Sequence, residues 1–370
     1  MLKSLKIENF RGFKSFELQQ LGRINLFVGL NNSGKTSILE AIQLLCAGTN
    51  LDPLVEIMIN RGEYDDKADL RQRQFSLDIH NIFYNHNTNL GNSLTLSGLY
   101  DGVDEKITMS LHEYDNSIDN QPGLFNDGRL VLAIEQIDKR QGEEREAENR
   151  RFPLSFDLKL HTDDILHLRR DSKIVSVNSQ FITPLSLSTD KMIEMFEDNI
   201  VLTPEEEVIN KALHSIDPKI ERIAPQSSRK NDYSRSGSRA GFLVKLSGIN
   251  QRVPIGSMGD GIWRMLGLAL SIVSAKKGIL LVDEIDAGLH FTTMIDMWRM
   301  LLMTARRLNV QVFATTHSRD CWESLAEVAR LENCDEDEMM IHRIERGRNR
   351  SVIFSGRKLV VAAEQEIEVR

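Results

Sequence analysis

The order of apolar and polar positions predicts alternating strands and helices at the start of the chain. In residues 1–47, LKIENF alternates, RINLFVG is typical of a buried strand, and TSILEAIQLL carries apolar residues at helical spacing. A glycine-rich segment separates the last two. This order predicts strand, turn, strand, glycine-rich loop and helix, which is the opening of a phosphate-binding α/β unit.

From about residue 75 to 183 the pattern changes to short runs in which apolar and polar residues alternate. Asn, Gly, Asp and Pro residues separate these runs, which include SLTLSGLYD, EKITMSLHEY and RLVLAIEQI. The pattern predicts an inserted antiparallel β lobe. We interpret the charged run QGEEREAENRR (141–151) as a solvated loop between two of its strands.

Helical and α/β patterns follow the β lobe. Residues 189–222 are predicted to be helical, and after them the buried strands GILLVDEI and QVFATTHS alternate with helices at 259–274, 291–308 and about 319–331. Parallel buried strands between helices imply a doubly wound sheet. The residues of the 291–308 helix that follow the helical period are expected in the core: Met294, Trp298, Leu301, Leu302, Ala305 and Leu308.

These patterns divide the chain into five predicted segments: 1–50 and 242–370 as the two parts of the α/β core, 51–188 as the β lobe, 189–226 as a helical segment, and 227–241 as a basic loop. The basic loop is rich in Ser and Gly and carries Arg229, Lys230, Arg235 and Arg239. It is either a flexible solvated loop or a mobile loop that contacts phosphates.

Composition narrows the class of protein. The 370 residues carry 46 Lys and Arg against 54 Asp and Glu, a net charge of -8, and 41% are hydrophobic, which excludes disordered, collagen-like and membrane proteins. The net negative charge disfavours a surface that is basic all over and binds nucleic acid generally, but it is compatible with a local basic groove. The three cysteines (Cys46, Cys321 and Cys334) form no CxxC pair, and there is neither a signal-peptide pattern nor an apolar run long enough for a membrane helix. We therefore expect a cytoplasmic protein with reduced thiols.

The segment GLNNSGKT (29–36) matches the phosphate-binding pattern G-x-x-x-x-G-K-[ST] and lies between a predicted strand and a predicted helix. Gly29 and Gly34 let the backbone wrap phosphates, Lys35 supplies a cation for the β and γ phosphates, and Thr36 can hold Mg²⁺. This segment predicts a nucleoside triphosphate site.

Two further strand ends carry candidate catalytic residues. The strand ILLVDE (279–284) ends in Asp283, which is placed to hold the metal or its water, and Glu284, which is placed as the general base. An apolar run before Asp-Glu is common by itself, but together with the phosphate loop it indicates hydrolysis. His317, at the end of QVFATTHS, is either a structural histidine or a contact to the γ phosphate or the attacking water, and we favour the contact.

Five segments together resemble an ABC-type ATPase of the SMC/RecF/OLD group, in which OLD stands for overcoming lysogenization defect: IENFRGF, GLNNSGKT, SMGDG (257–261), LLVDEIDAGLH (280–290) and TTHS (315–318). The sequence DEIDAGLH followed by TTHSRD is similar to the OLD-like branch. The resemblance implies an ABC-type P-loop ATPase head, with a mixed or parallel sheet flanked by helices, an inserted antiparallel β lobe and a small helical segment.

The same resemblance implies a dimer that encloses ATP. Ser257 and Gly259 would then contact the nucleotide of the partner, and Asp286 would communicate across the dimer. Arg11 either approaches the nucleotide or is an ordinary surface residue, and Gln180 is either a metal-sensing glutamine or, more simply, an ordinary surface residue. The catalytic residues would be Lys35, Glu284 and His317, and the Mg²⁺ ligands Thr36 and Asp283. The residues assigned to ATP are Arg11, Asn31, Asn32, Ser33, Gly34, Lys35, Thr36, Ser37, Ser257, Gly259 and Asp286.

One position departs from the family pattern. Asp260 stands where the signature segment usually has glutamine, which places an acid opposite the partner's nucleotide and suggests slow or activator-dependent hydrolysis.

OLD-like ATPases often carry a carboxyl-terminal Toprim nuclease, and the 53 residues after His317 leave no room for one. We therefore expect a stand-alone ATPase of an antiphage system that acts on a separately encoded effector, with a second copy of itself as a further partner and no membrane. DNA is left open as an alternative to the effector. The alternatives are a RecF-like DNA clamp in repair and a nucleotide-binding scaffold with negligible catalysis. The arginines at 343–350 form either a solvated hairpin or a docking surface.

Overall fold

The structure is a computed structural model that describes residues 1–65, 75–115, 130–140, 143–144, 148–162, 165, 177–184, 188–226, 241–365 and 369. The chain forms two compact units. The first contains Met1–Gln20, Thr36–Val177 and Arg346–Ser351, and the second contains Leu21–Lys35, Asn178–Glu345 and Val352–Arg370. These boundaries differ from the sequence-based division, because strands far apart in the chain pair within each unit. The predicted basic loop lies almost wholly outside the described residues.

The strands are β1 (Leu2–Phe10), β2 (Phe13–Leu18), β3 (Ile24–Val28), β4 (Tyr64–Asp65), β5 (Ser76–Asp78), β6 (Ser93–Tyr100), β7 (Val103–Glu113), β8 (Leu130–Arg140), β9 (Glu143–Glu144), β10 (Glu148–Leu154), β11 (Lys159–His161), β12 (Ser179–Ile182), β13 (Ile220–Pro225), β14 (Phe242–Leu246), β15 (Arg252–Pro254), β16 (Ile279–Val282), β17 (Gln311–Thr315), β18 (Met339–Arg343) and β19 (Val352–Ser355).

The α-helices are α1 (Lys35–Ala47), α2 (Asp52–Asn60), α3 (Thr189–Asn199), α4 (Glu206–His214), α5 (Asp260–Ser274), α6 (Phe291–Leu308), α7 (Arg319–Leu331) and α8 (Gly356–Glu364). Short 3₁₀ turns lie at Ile79–Ile82, Tyr84–His86 and Ile255–Ser257. Within the described residues, no helix has both the length and the hydropathy that a membrane crossing requires.

The first unit contains an antiparallel sheet in the order β10-β8-β7-β6-β1-β2, with β9 beside β8, and a small sheet in the order β11-β5-β4. In β1, Leu5 and Ile7 are buried while Lys6 between them is exposed, as expected for a strand with one face on a core. The charged run at 141–151, predicted as a loop, is partly strand. Its last residues open β10, because Arg150 and Arg151 pair with Ile134 and Ala133 of β8.

The second unit is built on a mixed sheet in the order β12-β16-β17-β3-β18-β19. Neighbouring strands are parallel from β12 to β18, and β19 is antiparallel to β18. All residues of β3, β16 and β17 are buried, which is why these segments are apolar without alternation. An antiparallel sheet in the order β13-β14-β15 completes this unit. The predicted α/β class, with a mixed sheet flanked by helices and a separate antiparallel sheet, is confirmed.

The helices of the second unit pack as the helical period predicts. The six α6 residues expected in the core are all buried: Met294, Trp298, Leu301, Leu302, Ala305 and Leu308. The indole Nε1 of Trp298 donates to the carbonyl oxygen of Cys321 at 2.9 Å, which links α6 to α7. Tryptophan here has a structural role because its polar atom is satisfied within the core.

The strand order determines where the chemistry lies. Because β17 lies between β3 and β16 and all three are parallel, their carboxyl ends lie at the same edge of the sheet. Ligands of open α/β sheets bind outside this edge. The three segments that follow these strands begin at Gly29, Asp283 and Thr316.

Candidate nucleotide-binding site

The phosphate loop starts at the carboxyl end of β3 and requires glycine at its first position. Gly29 has φ 143° and Gly34 has φ 99°, conformations that residues with side chains rarely adopt. A Cβ atom on Gly29 would lie 2.4 Å from the carbonyl oxygen of Ile344, so the backbone after β18 occupies the space of a side chain. The motif glycine is thus needed for packing in this chain as well as for the turn.

Lys35 begins α1 and is only 5% exposed. Its Nζ donates to the carbonyl oxygens of Gly29 at 2.8 Å and Leu30 at 2.9 Å. The same atom lies 3.5 Å from Nδ1 of His317, so the phosphate loop after β3 and the histidine after β17 are in contact. Burial lowers the pKa of Lys35 to about 8, although the carboxylates of Asp283 and Glu284 oppose this shift.

The acid pair after β16 is held by the end of β17. The Thr315 hydroxyl donates to Oδ1 of Asp283 at 2.6 Å and accepts from the backbone N–H of Glu284 at 2.9 Å. Glu284 is exposed and has φ 47°, which is uncommon for a residue with a side chain. The structure therefore brings Lys35, Asp283, Glu284 and His317 to one edge of the sheet.

Thr316, the residue after Thr315, makes a similar pair of hydrogen bonds that includes the carboxylate of Asp286. The Thr316 hydroxyl donates to Oδ1 of Asp286 at 2.6 Å and accepts from the backbone N–H of Ser318 at 2.9 Å. His317 lies between Thr316 and Ser318 in the chain. Its pKa is lowered below the ordinary value, mainly by burial and to a smaller extent by the nearby Lys35 cation. Its imidazole is therefore neutral near pH 7.

Arg264 belongs to the site and was missed by the sequence analysis. It lies on α5, is 6% exposed, and donates from Nη2 to the carbonyl oxygens of Glu284 at 2.9 Å and Asp283 at 3.3 Å. Nη1 also lies 3.4 Å from the carbonyl oxygen of Thr183. Burial lowers the pKa of Arg264, and the nearby carboxylates oppose this shift. The available signal was a cation within the largely apolar helix WRMLGLALSIV, whose other polar residue is Ser271.

Arg11 and Gln180, the two weaker candidates, are engaged in contacts outside the group formed by Lys35, Asp283, Glu284 and His317. In the first unit, Arg11 has Nε 2.7 Å from Oε2 of Glu40 and Nη1 2.7 Å from Oε1 of Glu63. Gln180 lies inside β12, opposite Leu280. Strand β12 ends at Ile182, whose carbonyl oxygen accepts from the backbone N–H of Asp283 at 2.8 Å. The residue that follows this strand end is therefore Thr183, whereas Gln180 lies within the strand.

The signature segment forms an exposed turn before α5. The Ser257 hydroxyl donates to the carbonyl oxygen of Pro254 at 2.7 Å, and Gly259 has φ 97°. Asp260 is the first residue of α5, where a carboxylate is stabilised by the helix dipole. A Cβ atom on Gly261 would lie 3.5 Å from the carbonyl oxygen of Gly288, so this turn lies beside the loop that follows Asp286.

The remaining predicted nucleotide contacts follow the phosphate loop in sequence. Asn31 and Asn32 are exposed and Ser33 is buried, and a Cβ atom on Gly29 would lie 3.2 Å from the Ser33 Oγ. Thr36 and Ser37 continue α1 directly after Lys35 and are counted in the first unit.

Comparison with known proteins gives both a family and distant relatives. Residues 24–320 match the family model described as AAA domain, putative AbiEii toxin, Type IV TA system. The chain is 23% identical to the ATP/GTP phosphatase of Helicobacter pylori over 89% of both chains. It is 24% identical to the DNA replication and repair protein RecF of Clostridioides difficile over 94% of this chain and 97% of that one. The SMC head domain from Thermotoga maritima aligns with 96% of this chain and 98% of its own at 13% identity and a TM-score of 0.42.

Proposed function

The chain belongs to the AAA domain family, and from this premise we propose that it is an ATPase of the SMC/RecF group that binds ATP with Mg²⁺ and hydrolyses it. The supporting observation is the position of the Lys35 ammonium, which lies 3.5 Å from His317 and is influenced by the charges of Asp283 and Glu284. A cation, two acids and a neutral imidazole at the carboxyl edge of a parallel sheet are the groups that phosphoryl transfer needs.

Each residue has a proposed role. The phosphate loop and Lys35 hold the β and γ phosphates, and His317 contacts the γ phosphate. Glu284 accepts the proton of the attacking water as the bond between the γ phosphorus and the bridging oxygen breaks, which leaves ADP and phosphate. The oxygen donors of Asp283 and Thr36 suit Mg²⁺, which usually keeps only one or two protein ligands beside phosphates and water. The bound ion would neutralise phosphate charge.

We further propose that two copies enclose the nucleotide. Ser257 and Gly259 are exposed and belong to the signature segment, whose last residue, Gly261, lies beside Gly288 in the loop after Asp286, so they would be presented to a second copy. Arg11 and Gln180 are proposed contacts with weaker support, because Arg11 is paired with Glu40 and Glu63 and Gln180 lies within β12.

The proposed cellular role is that of an OLD-like stand-alone ATPase in antiphage defence. Its ATP-bound dimer would hold, and hydrolysis would release, a separately encoded cytoplasmic effector of the Toprim type. The family description names a putative toxin, and the DEIDAGLH and TTHS segments support the OLD-like branch.

Two variants and two matched controls test the ATPase proposal. We expect Lys35→Ala to weaken ATP binding about a hundredfold, because it removes a charge-assisted contact to phosphate. We expect Glu284→Gln to bind ATP normally, to lower turnover about a hundredfold or more, and to accumulate an ATP-bound dimer. Exposed residues of the second unit supply the controls Lys276→Ala and Glu197→Gln.

The measurements are ATP affinity by fluorescence, phosphate release, and mass by light scattering with ATP and Mg²⁺. Wild-type turnover by clean Glu284→Gln protein would remove this acid from the mechanism. Absence of ATP binding by the wild-type protein with Mg²⁺ would refute the proposal as a whole.

A second candidate function, a RecF-like DNA clamp, is favoured by the relation to RecF over 94% of the chain. It predicts DNA affinity that requires ATP and falls steeply with salt, because phosphate contacts release counterions. Titration of duplex and gapped DNA with Glu284→Gln protein and ATP measures this. Equal weak affinity with and without ATP would count against the clamp.

A further inference from the structure

Glu284 is held in a backbone conformation that it would not adopt freely. Its φ of 47° lies in the left-handed region, where the Cβ atom of an ordinary residue is crowded. Such residues persist where their surroundings hold them, and they occur frequently at functional sites. The contacts that hold this peptide therefore determine where the Glu284 carboxylate points.

Thr315 holds the chain on both sides of Glu284. Its hydroxyl accepts from the Glu284 N–H at 2.9 Å and donates to Oδ1 of Asp283 at 2.6 Å. Its carbonyl oxygen accepts from the N–H of Ile285 at 3.0 Å. Because one hydroxyl can donate and accept at once, this side chain ties the Asp283 carboxylate to the Glu284 peptide.

Arg264 binds the backbone carbonyl group of Glu284. Its Nη2 donates to the Glu284 carbonyl oxygen at 2.9 Å, so the N–H and the C=O of Glu284 are engaged by side chains from β17 and α5. Thr315 and Arg264 are both buried, which makes these bonds resistant to exchange with water.

We propose that Thr315 is a positioning residue for hydrolysis: its hydroxyl keeps Glu284 in the left-handed conformation and so aims its carboxylate at the attacking water. This inference rests on the proposed ATPase function. Without the hydroxyl, φ of Glu284 can relax to negative values, and its Cα–Cβ bond then points elsewhere. The nucleotide is held by the phosphate loop, so the loss appears in kcat and not in KM.

Three variants separate the hydroxyl from the volume of the side chain. Thr315→Val removes the hydroxyl at nearly constant shape, and Thr315→Ser keeps it. Thr49→Val is the matched control, because Thr49 is fully buried and its hydroxyl has no hydrogen-bond partner within the described part of the chain. We expect kcat of Thr315→Val to fall about thirtyfold with KM within about threefold, and the other two variants to stay within about threefold of wild type.

A double variant tests whether Thr315 acts through Glu284. In the Glu284→Gln background, Thr315→Val should lower kcat no further, because residues that act as a unit are not additive. A merely structural threonine would reduce the rate again by the same factor. If Thr315→Val does not fold, Thr315→Ala removes the same hydroxyl without placing a methyl group against Glu284.

The outcomes separate the two proposals. Wild-type protein that binds ATP without turnover would overturn the ATPase proposal. Normal wild-type turnover together with unchanged kcat in Thr315→Val, or with additive losses in the double variant, would overturn only the role of Thr315.

Discussion

Two groups of charged side chains in this protein are stabilised in different ways. In the first unit, Arg11, Glu40, Arg61 and Glu63 form direct ion pairs that we call the arginine–glutamate cluster. Arg11 contacts both glutamates at 2.7 Å, and Nε of Arg61 lies 2.6 Å from Oε1 of Glu40. Arg11 and Glu40 are 7% and 3% exposed, so each charge is compensated mainly by its partner.

In the second unit, the charged side chains of the nucleotide site have neutral partners in the hydrogen bonds described above. Both buried cations, Lys35 and Arg264, donate to backbone carbonyl oxygens. Asp283 and Asp286 each accept from a threonine hydroxyl. Neutral partners fix the position of a charge without cancelling it, so its field remains available to a phosphate or a metal ion. Direct ion pairing is typical of structural clusters, whereas neutral support suits a binding site.

The largest effect that tests this contrast is on stability. Arg11→Met should lower the free energy of unfolding by about 3 kcal/mol, because it removes the buried cation that contacts both Glu40 and Glu63 and leaves Arg61 beside Glu40. We expect ATP affinity to stay within about threefold, since the guanidinium is already engaged by two glutamates. Urea unfolding and ATP titration measure both quantities, with the exposed Lys14→Met as control. A tenfold loss of affinity would instead assign Arg11 to the nucleotide, as the sequence predicts.

A smaller effect concerns pH. Burial lowers the pKa of Lys35 to about 8 from an ordinary value of 10.5. Below about 8 the ammonium is charged and ready for phosphate, so ATP affinity should fall about tenfold between pH 7 and pH 9. The effect of pH on the free energy of unfolding has the opposite sign. The unfolded chain binds the Lys35 proton more tightly than the folded chain, so the protein becomes more stable as pH rises from about 8 to 10.5.

Calorimetry in buffers of different ionisation enthalpy measures the proton that binding takes up above pH 8. Lys35→Met should bind weakly and show no such uptake. An affinity that is flat from pH 7 to pH 9 in the wild-type protein would contradict the lowered pKa.

The smallest expected effect is at Asp260, a charged residue that begins α5. Asp260→Gln should raise turnover about threefold, the effect of removing about 0.6 kcal/mol of repulsion between exposed like charges. It should also lower the midpoint of thermal unfolding slightly, because the helix start loses a favourable carboxylate. Phosphate release and thermal denaturation test both expectations, and slower turnover in Asp260→Gln would show that the acid is useful.

The sequence predicted the residues of the site whose signals are local. The phosphate loop, Asp283, Glu284 and His317 each follow an apolar strand, and such strand ends can be found from a few neighbouring residues. The contacts of Thr315 and Arg264 could not be found in this way, because they join residues far apart in the chain and include backbone N–H and C=O groups of Asp283 and Glu284. A carbonyl oxygen or N–H has no sequence signal of its own.

By itself, the sequence determined the buried strands and long helices of the α/β core, the α/β class and the glycine turn at Gly29, because periodicity and backbone conformation depend on adjacent residues. The predictions of a loop at 148–151 and a helix at 220–222 were wrong, because strand pairing with β8 and β14 decides these residues. Only the tertiary structure decided that β17 lies between β3 and β16, that Thr183 follows the end of β12, and that Arg11 pairs with glutamates. Strand pairing and buried ion pairs join residues far apart in the chain, and their energies depend on which groups leave water together.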